Sequence, residues 1–333
     1  MVRTGASEGD PLASEHRDDE WPLVEAGDAA LGMTEMAHAV LGRLLPDPVA
    51  DRLTHSLART ATSIRPGKRQ ALEALYTQFI GTRSALPPPE VYVRALIATH
   101  LQQRMIYARL GADAGWRPHS LDTEGSAEVE AALSAGGGVV LWLLPLEMNA
   151  LLVRMVCRDR AWPLTFMSHW RHGPSRSRIG QALFNARDCR IESRFGRRLI
   201  MTETDTAKPL AEAARILRDG GIVGFRGIGW AKRPVHYQFF EGHLHLALGA
   251  PIMAQRTGAA LFVVSSCRTD AGFRVCFTAV DAARQHSPEA LGAAFVAHLE
   301  RAVIAAPSLW SVMSRQWQPG PFPPNVKMGP RAS

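Results

Sequence analysis

Cysteine is scarce in this chain of 333 residues: Cys157, Cys189, Cys267 and Cys276 are scattered, with no Cys-x-x-Cys pair among them. That spacing offers no zinc knuckle and no disulfide framework, and it suits a reducing compartment. Lysine is almost missing as well, present only at Lys68, Lys208, Lys232 and Lys327, so the net charge of +7 is carried by arginine. No window reaches the ~18 unbroken apolar residues of a transmembrane helix. Residues 1 to 28 hold eight acids against two arginines and have no apolar core, which is not the pattern of a signal peptide. These absences together read as a cytoplasmic protein.

Several motifs are missing too. No Gly-x-Gly-x-x-Gly opens a helix after the first strand, no lysine follows a phosphate-binding glycine loop, and there is no Gly-x-Ser-x-Gly elbow. Dinucleotide, nucleotide-hydrolysing and serine-hydrolase readings lose their support. Aromatics do not interleave with basic residues along a strand, so nucleic acid is not an expected partner. The close histidine pairs, His169 with His172 and His243 with His245, lack a carboxylate or cysteine at ligand spacing, and no metal is expected.

What is present centres on the stretch from Gly136 to Val153. Three glycines free the backbone to turn, Val139 to Leu144 form an apolar run fit for a buried parallel strand, and Pro145 stops it. Glu147 and Asn149 then fall just past the carboxyl end of that strand, at the start of a helix carrying Leu151, Leu152, Met155 and Val156. In open α/β sheets that crevice is where ligands bind. Either a helix-dipole contact or a ligand could account for an acid there.

With 46% hydrophobic residues there is material for one large α/β domain preceded by a helical part. Residues 1–28 read as a disordered acidic arm. Helical spacing predicts four helices, over 29–45, 48–57, 67–80 and 90–110, within a helical region of 29–125. His100 on the last of these reads as a packed or surface histidine, since no second imidazole stands at ligand spacing. The α/β domain spans 126–318, with 113–124 a loop. Strands are expected at 138–144, 163–168, 189–192, 222–225 and 235–240, and a helix-like run at 242–257. An antiparallel hairpin at 261–266 and 273–280 follows, then a helix begun by Ser287 and Pro288, and a tail at 319–333. Strand and helix alternate as βαβ units, giving a mainly parallel central sheet with flanking helices. Between Arg154 and Arg233, seventeen basic residues face seven acids, an excess suited to phosphate-bearing partners.

Four segments together resemble the lysophospholipid acyltransferase superfamily, specifically its lipid A late (lauroyl/myristoyl) acyltransferase branch. They are the glycine-led strand at 136–144 with its acidic follow-on; the basic stretch from His169 to Arg187; and the run from Gly220 to Arg226 with Phe239, Phe240, Gly242 and the segment 247–259. The fourth is Pro307 to Trp310 with Arg315 and Trp317. The likeness covers about residues 90 to 318. It implies a glycerolipid acyltransferase-like fold and transfer of an acyl chain from acyl-carrier protein or coenzyme A to a hydroxyl or amine of a lipid or metabolite. No cofactor is implied beyond that donor. It also implies peripheral attachment at an anionic membrane surface, the inner face of the cell membrane.

In that family a histidine is the general base and a carboxylate in His-x-x-x-x-Asp/Glu orients it. This sequence departs from the motif. Aligned on the glycines, the histidine position falls on Pro145 and the acid on Ala150; aligned on Glu147, the histidine becomes Trp142. The family's amino-terminal membrane anchor also has no counterpart. Two readings stay open. In one, His169 or His172 reaches the crevice and Glu147 orients it; in the other, the crevice binds an acyl chain or carrier partner without chemistry. Trp142, Asn149, Arg171, Arg187, Arg226, Phe240 and Gly242 are expected to contact substrate, the arginines through phosphate.

Overall fold

The computed structural model describes residues 22–330 apart from positions 25, 65, 84, 114, 170–171, 203, 228–233, 281–282, 284, 315 and 323–325. The helical part comprises α1 (Ala26–Leu44), α2 (Asp47–Ile64), α3 (Pro66–Ile80) and α4 (Pro89–Ala112). The expected acidic arm lies outside the described residues up to position 21. Its last residues do not, because α1 already runs through Asp28, whose carboxylate accepts hydrogen bonds from Ser175 and Ser177.

The α/β part follows as β1 (Leu121–Glu124), α5 (Ser126–Ser134), β2 (Val139–Leu143), α6 (Asn149–Asp159) and β3 (Leu164–His169). Next come α7 (Arg178–Gly180), a widened turn at Gln181–Asn185, α8 (Ala186–Glu192), β4 (Arg197–Met201), α9 (Ala207–Arg218) and β5 (Ile222–Arg226). Then β6 (Val235–Phe239), β7 (Gly242–Leu246), α10 (Gly249–Thr257), β8 (Ala260–Thr269), β9 (Gly272–Ala279), α11 (Pro288–Ala305) and β10 (Trp317–Pro319) complete the chain. Ser287 caps α11 by accepting from the Ala290 amide, with proline at the first helical position.

Among the described residues, seven strands form a mostly parallel mixed sheet in the order β1-β9-β8-β2-β5-β3-β4, antiparallel only between β8 and β9. β2 lies between β8 and β5 and is buried along its whole length, as a strand covered by helices on both faces must be. Its glycine approach has a steric reason. Gly136 sits at φ 74°, and a side chain on Gly138 would strike the Leu217 carbonyl oxygen at 2.1 Å.

Three local expectations are corrected. Residues 121–124 are an edge strand pairing with β9 rather than loop. Residues 189–192 belong to α8, because Asp188 and Glu192 must face arginines from α4 and α6; the strand lies later, at β4. Residues 242–246 form β7 rather than the start of a helix, paired on both sides by β6 and β10. The expected tail at 319–333 is held where it is described, since His236 bonds through its backbone to Lys327 and Gly329.

β6, β7 and β10 form a separate three-stranded sheet. One face of it carries His236, His243 and His245, all buried, with ring centres 5.3 Å apart for His236 and His243 and 5.6 Å for His236 and His245. Among the described residues, no Nδ1 of the three has a hydrogen-bond partner. Burial, with the neighbouring imidazoles acting the same way, lowers His245 from 6.5 to about 4. A histidine held neutral in the fold and titrating freely when unfolded favours folding above pH 6.5, and that contribution is lost as pH falls towards 4. His245→Gln is therefore expected to reduce the fall in urea stability between these pH values by at most roughly 3 kcal/mol. Equal pH slopes for the variant and the parent would contradict this account of the cluster.

Candidate functional site

A cavity of about 320 Å³ opens at the carboxyl ends of β2 and β5. That size is at the lower end of the roughly 300–1,000 Å³ typical of small-molecule sites. Its floor is the turn from Leu143 to Met148, one wall is α4 through Gln103 and Tyr107, and the segment from Trp310 to Gln316 closes another side. Arg226, the last residue of β5, reaches it from the neighbouring strand.

The turn is tightly specified. Pro145 ends the strand direction, and Met148 adopts φ 63°, a left-handed conformation that costs a non-glycine residue about 1 kcal/mol or more. Asn149 compensates by donating through Nδ2 to the Leu144 carbonyl at 2.8 Å and the Val264 carbonyl at 2.9 Å, which clamps the ends of β2 and β8. The closing segment is pinned at two points. The Glu147 amide donates to the Leu309 carbonyl at 2.8 Å, and the Tyr92 hydroxyl donates to the Trp310 carbonyl at 2.8 Å.

Glu147 lines the cavity, and its Oε1 lies 3.1 Å from His100 Nε2 on α4. His100, Gln103 and Tyr107 recur at helical spacing, so one face of α4 presents all three toward this end of the sheet. The expectation that His169 or His172 would meet Glu147 is thus corrected: the histidine comes from α4. No spacing rule within one segment links His100 to Glu147, because the contact joins residues 47 positions apart. The available signal was three polar-tipped residues, His100, Gln103 and Tyr107, at helical spacing on α4.

His172 has a different partner. Its Nε2 lies 2.8 Å from Glu192 Oε1, to which the Tyr107 hydroxyl also donates at 2.7 Å, while Arg154 reaches Glu192 Oε2 at 3.1 Å. Burial alone would raise Glu192, but the Arg154 guanidinium and the hydrogen bonds from His172 and Tyr107 outweigh it and hold the carboxyl well below its usual range. Burial lowers His172, with Arg226 and Arg198 acting in the same direction against the pull of Glu192, so the imidazole is neutral at neutral pH. Nε2 then carries the proton toward the carboxylate. His169 is the last residue of β3, and its carbonyl accepts from the His172 amide at 3.1 Å.

The other expected contact residues divide in four. Arg226 lines the cavity. Arg187 is instead engaged with Glu35, which Arg104 also holds, so its charge is answered inside the protein. Trp142 is core, stacked on Phe295 at 4.2 Å; Asn149 is the clamp just described; Phe240 packs on Phe79 at 4.3 Å; and Gly242 is required because a side chain there would meet the Gln318 carbonyl at 2.2 Å. None of these four lines the cavity. Arg171 lies outside the described residues. Among the described residues, no group of three or more histidine, cysteine or acidic side chains is placed to hold a metal ion.

The chain matches no protein-family model, and no curated protein matches it either.

Breaking a buried ion pair from one side strands the other charge. Glu192→Gln is expected to lower urea stability by about 3–5 kcal/mol, whereas replacing Arg154 and Glu192 together by methionine should restore most of the loss. A Glu192→Gln cost below about 1 kcal/mol would show that the pair carries little.

Proposed function

We propose that this chain is an acyltransferase of the glycerolipid acyltransferase type whose base is His100, oriented by Glu147, in place of the missing motif histidine. The observation that carries this reading is the 3.1 Å contact between His100 Nε2 and Glu147 Oε1 beside a cavity at the carboxyl ends of the central parallel strands. With the carboxylate accepting the Nε2 proton, Nδ1 keeps its lone pair and can take a proton from an acceptor hydroxyl or amine. The acceptor atom then attacks the thioester carbonyl of an acyl-carrier or coenzyme A donor. The carbon to sulfur bond breaks, and the departing thiolate recovers the proton.

Leu146, Met148, Leu151 and Met313 supply apolar surface for the acyl chain, and Arg226 offers a guanidinium to phosphate on the donor or acceptor. His172, neutral and fixed by Glu192, supports the wall that Tyr107 forms. One observation favours binding without turnover instead: the His100 side chain is 39% exposed, so water has access to the pair.

The purified chain should release free thiol from acyl-coenzyme A or acyl-carrier thioesters when a hydroxyl or amine acceptor is added. His100→Gln and Glu147→Gln should each slow that release by about 10²-fold or more, the usual worth of a positioned base. Equal rates in all three proteins would remove the pair from the mechanism. Tight acyl-thioester binding with no release from any of them would establish the binding reading.

A further inference from the structure

The outward side of α1 is built like a core face. Its acids Asp28 and Glu35 point inward, held by Ser175, Ser177, Arg104 and Arg187, so the helix cannot roll without breaking those contacts. Every exposed side chain described on this helix is apolar: Ala29, Met33, Met36, Ala37, Val40 and Leu44, the four larger ones between 56% and 72% exposed. With about 3.6 residues per turn, the six fall within roughly 100° of arc, the width of a stripe that normally faces a core. The turn after α7 widens the patch. The Phe184 ring lies 3.4 Å from where a side chain on Gly32 would begin, and Leu183 beside it is 61% exposed.

The spacing of the six positions is a palindrome. Successive steps are four, three, one, three and four residues, centred between Met36 and Ala37. A second α1 laid antiparallel about a two-fold axis at that centre sets Ala29 against Leu44, Met33 against Val40 and Met36 against Ala37. Each pair joins a larger side chain to a smaller one, as close packing between helices requires. Area agrees with pattern: these side chains and Leu183 expose on the order of 700 Å² per copy, close to the ~800 Å² that each partner buries in a standard interface. Residues 1–20 do not offer a cover of their own, since their large apolar side chains are only Met1, Val2 and Leu12 among six acids.

We propose that this face joins two copies of the chain, with α1 packed antiparallel against α1 across a two-fold axis at Met36 and Ala37. The lack of charge selects the occupant. The described stripe has no ionic group to answer a charged partner, so its complement is apolar over the same length, and a second copy meets that condition by identity. A helix lying in a lipid interface carries lysine or arginine on its polar face, whereas the charged side chains described on α1 are acids engaged inside the protein. The proposal does not rest on acyl transfer, because association is read without turnover.

The test is sedimentation equilibrium of the full chain from about 1 to 100 μM. The parent should form a reversible dimer with a dissociation constant on the order of 10 μM or tighter, as an interface of this size allows. Met33→Glu alone, or Val40→Arg alone, should weaken the dimer by about tenfold or more, because each buries an unpaired charge twice about the axis. Combining Met33→Glu with Val40→Arg should restore it, since the antiparallel register sets opposite charges against each other. Both side chains face outward, so thermal unfolding of every variant should match the parent. Should a charged variant unfold, Met36→Ser with Leu44→Ser reads the same loss without charge. A parent that stays monomeric at about 100 μM would overturn the proposal, and its pelleting with phosphatidylcholine vesicles would make lipid the occupant. So would a dimer that no single change weakens, or a double variant that stays monomeric, because either result contradicts the register.

Discussion

A carboxylate that is charged inside the protein constrains everything near the cavity. Glu192 is almost wholly buried, and an ion there is tolerable only if opposite charge and hydrogen bonds replace the water it has lost. Its partners come from three directions: Arg154 from α6, Tyr107 from α4 and His172 from the loop after β3. Arg154 is itself packed over the Phe166 ring at 3.9 Å, which fixes α6 against β3. These contacts set the register between α4 and the α6 turn. That register brings His100 on α4 to Glu147 on the turn before α6, so the candidate base pair is a consequence of the buried charge behind it.

The same logic joins the helical part to the sheet. Arg104 bridges Glu35 of α1 and Asp188 of α8, and Arg187 adds a second contact to Glu35. An apolar seam would have directed the leucines and methionines of α1 inward. With an ionic seam in its place, Met33, Met36, Val40 and Leu44 are left outside, and the apolar exterior of α1 follows from how it is attached.

Much of the sheet was legible in the residues. β2, β5 and the hairpin of β8 and β9 are apolar runs bounded by glycine, proline or polar turns, and period and punctuation suffice to place them. The segment 189–192 was not legible, because four residues with one isoleucine fit a strand as well as a helix, and tertiary ion pairs decide between them. β7 was hidden by His243 and His245, since alternating imidazoles do not look like core until the neighbouring strands cover them. At the site, Glu147 and the crevice were visible from the strand that ends before them. The identity of its histidine was not, because α4 and the turn after β2 are brought together only by packing. Trp142, Phe240 and Gly242 misled for the opposite reason: the segments that hold them were expected to contact substrate, but their surroundings make them core.

The central claim is that the cavity beside Glu147 receives an acyl thioester. A crystal structure of the chain with a non-hydrolysable acyl-coenzyme A analogue tests it most directly. The account predicts the carbonyl carbon inside the cavity, with Arg226 facing donor phosphate and the acceptor side of the carbonyl open toward His100. An analogue bound elsewhere on the protein, with this cavity filled only by water, would contradict it.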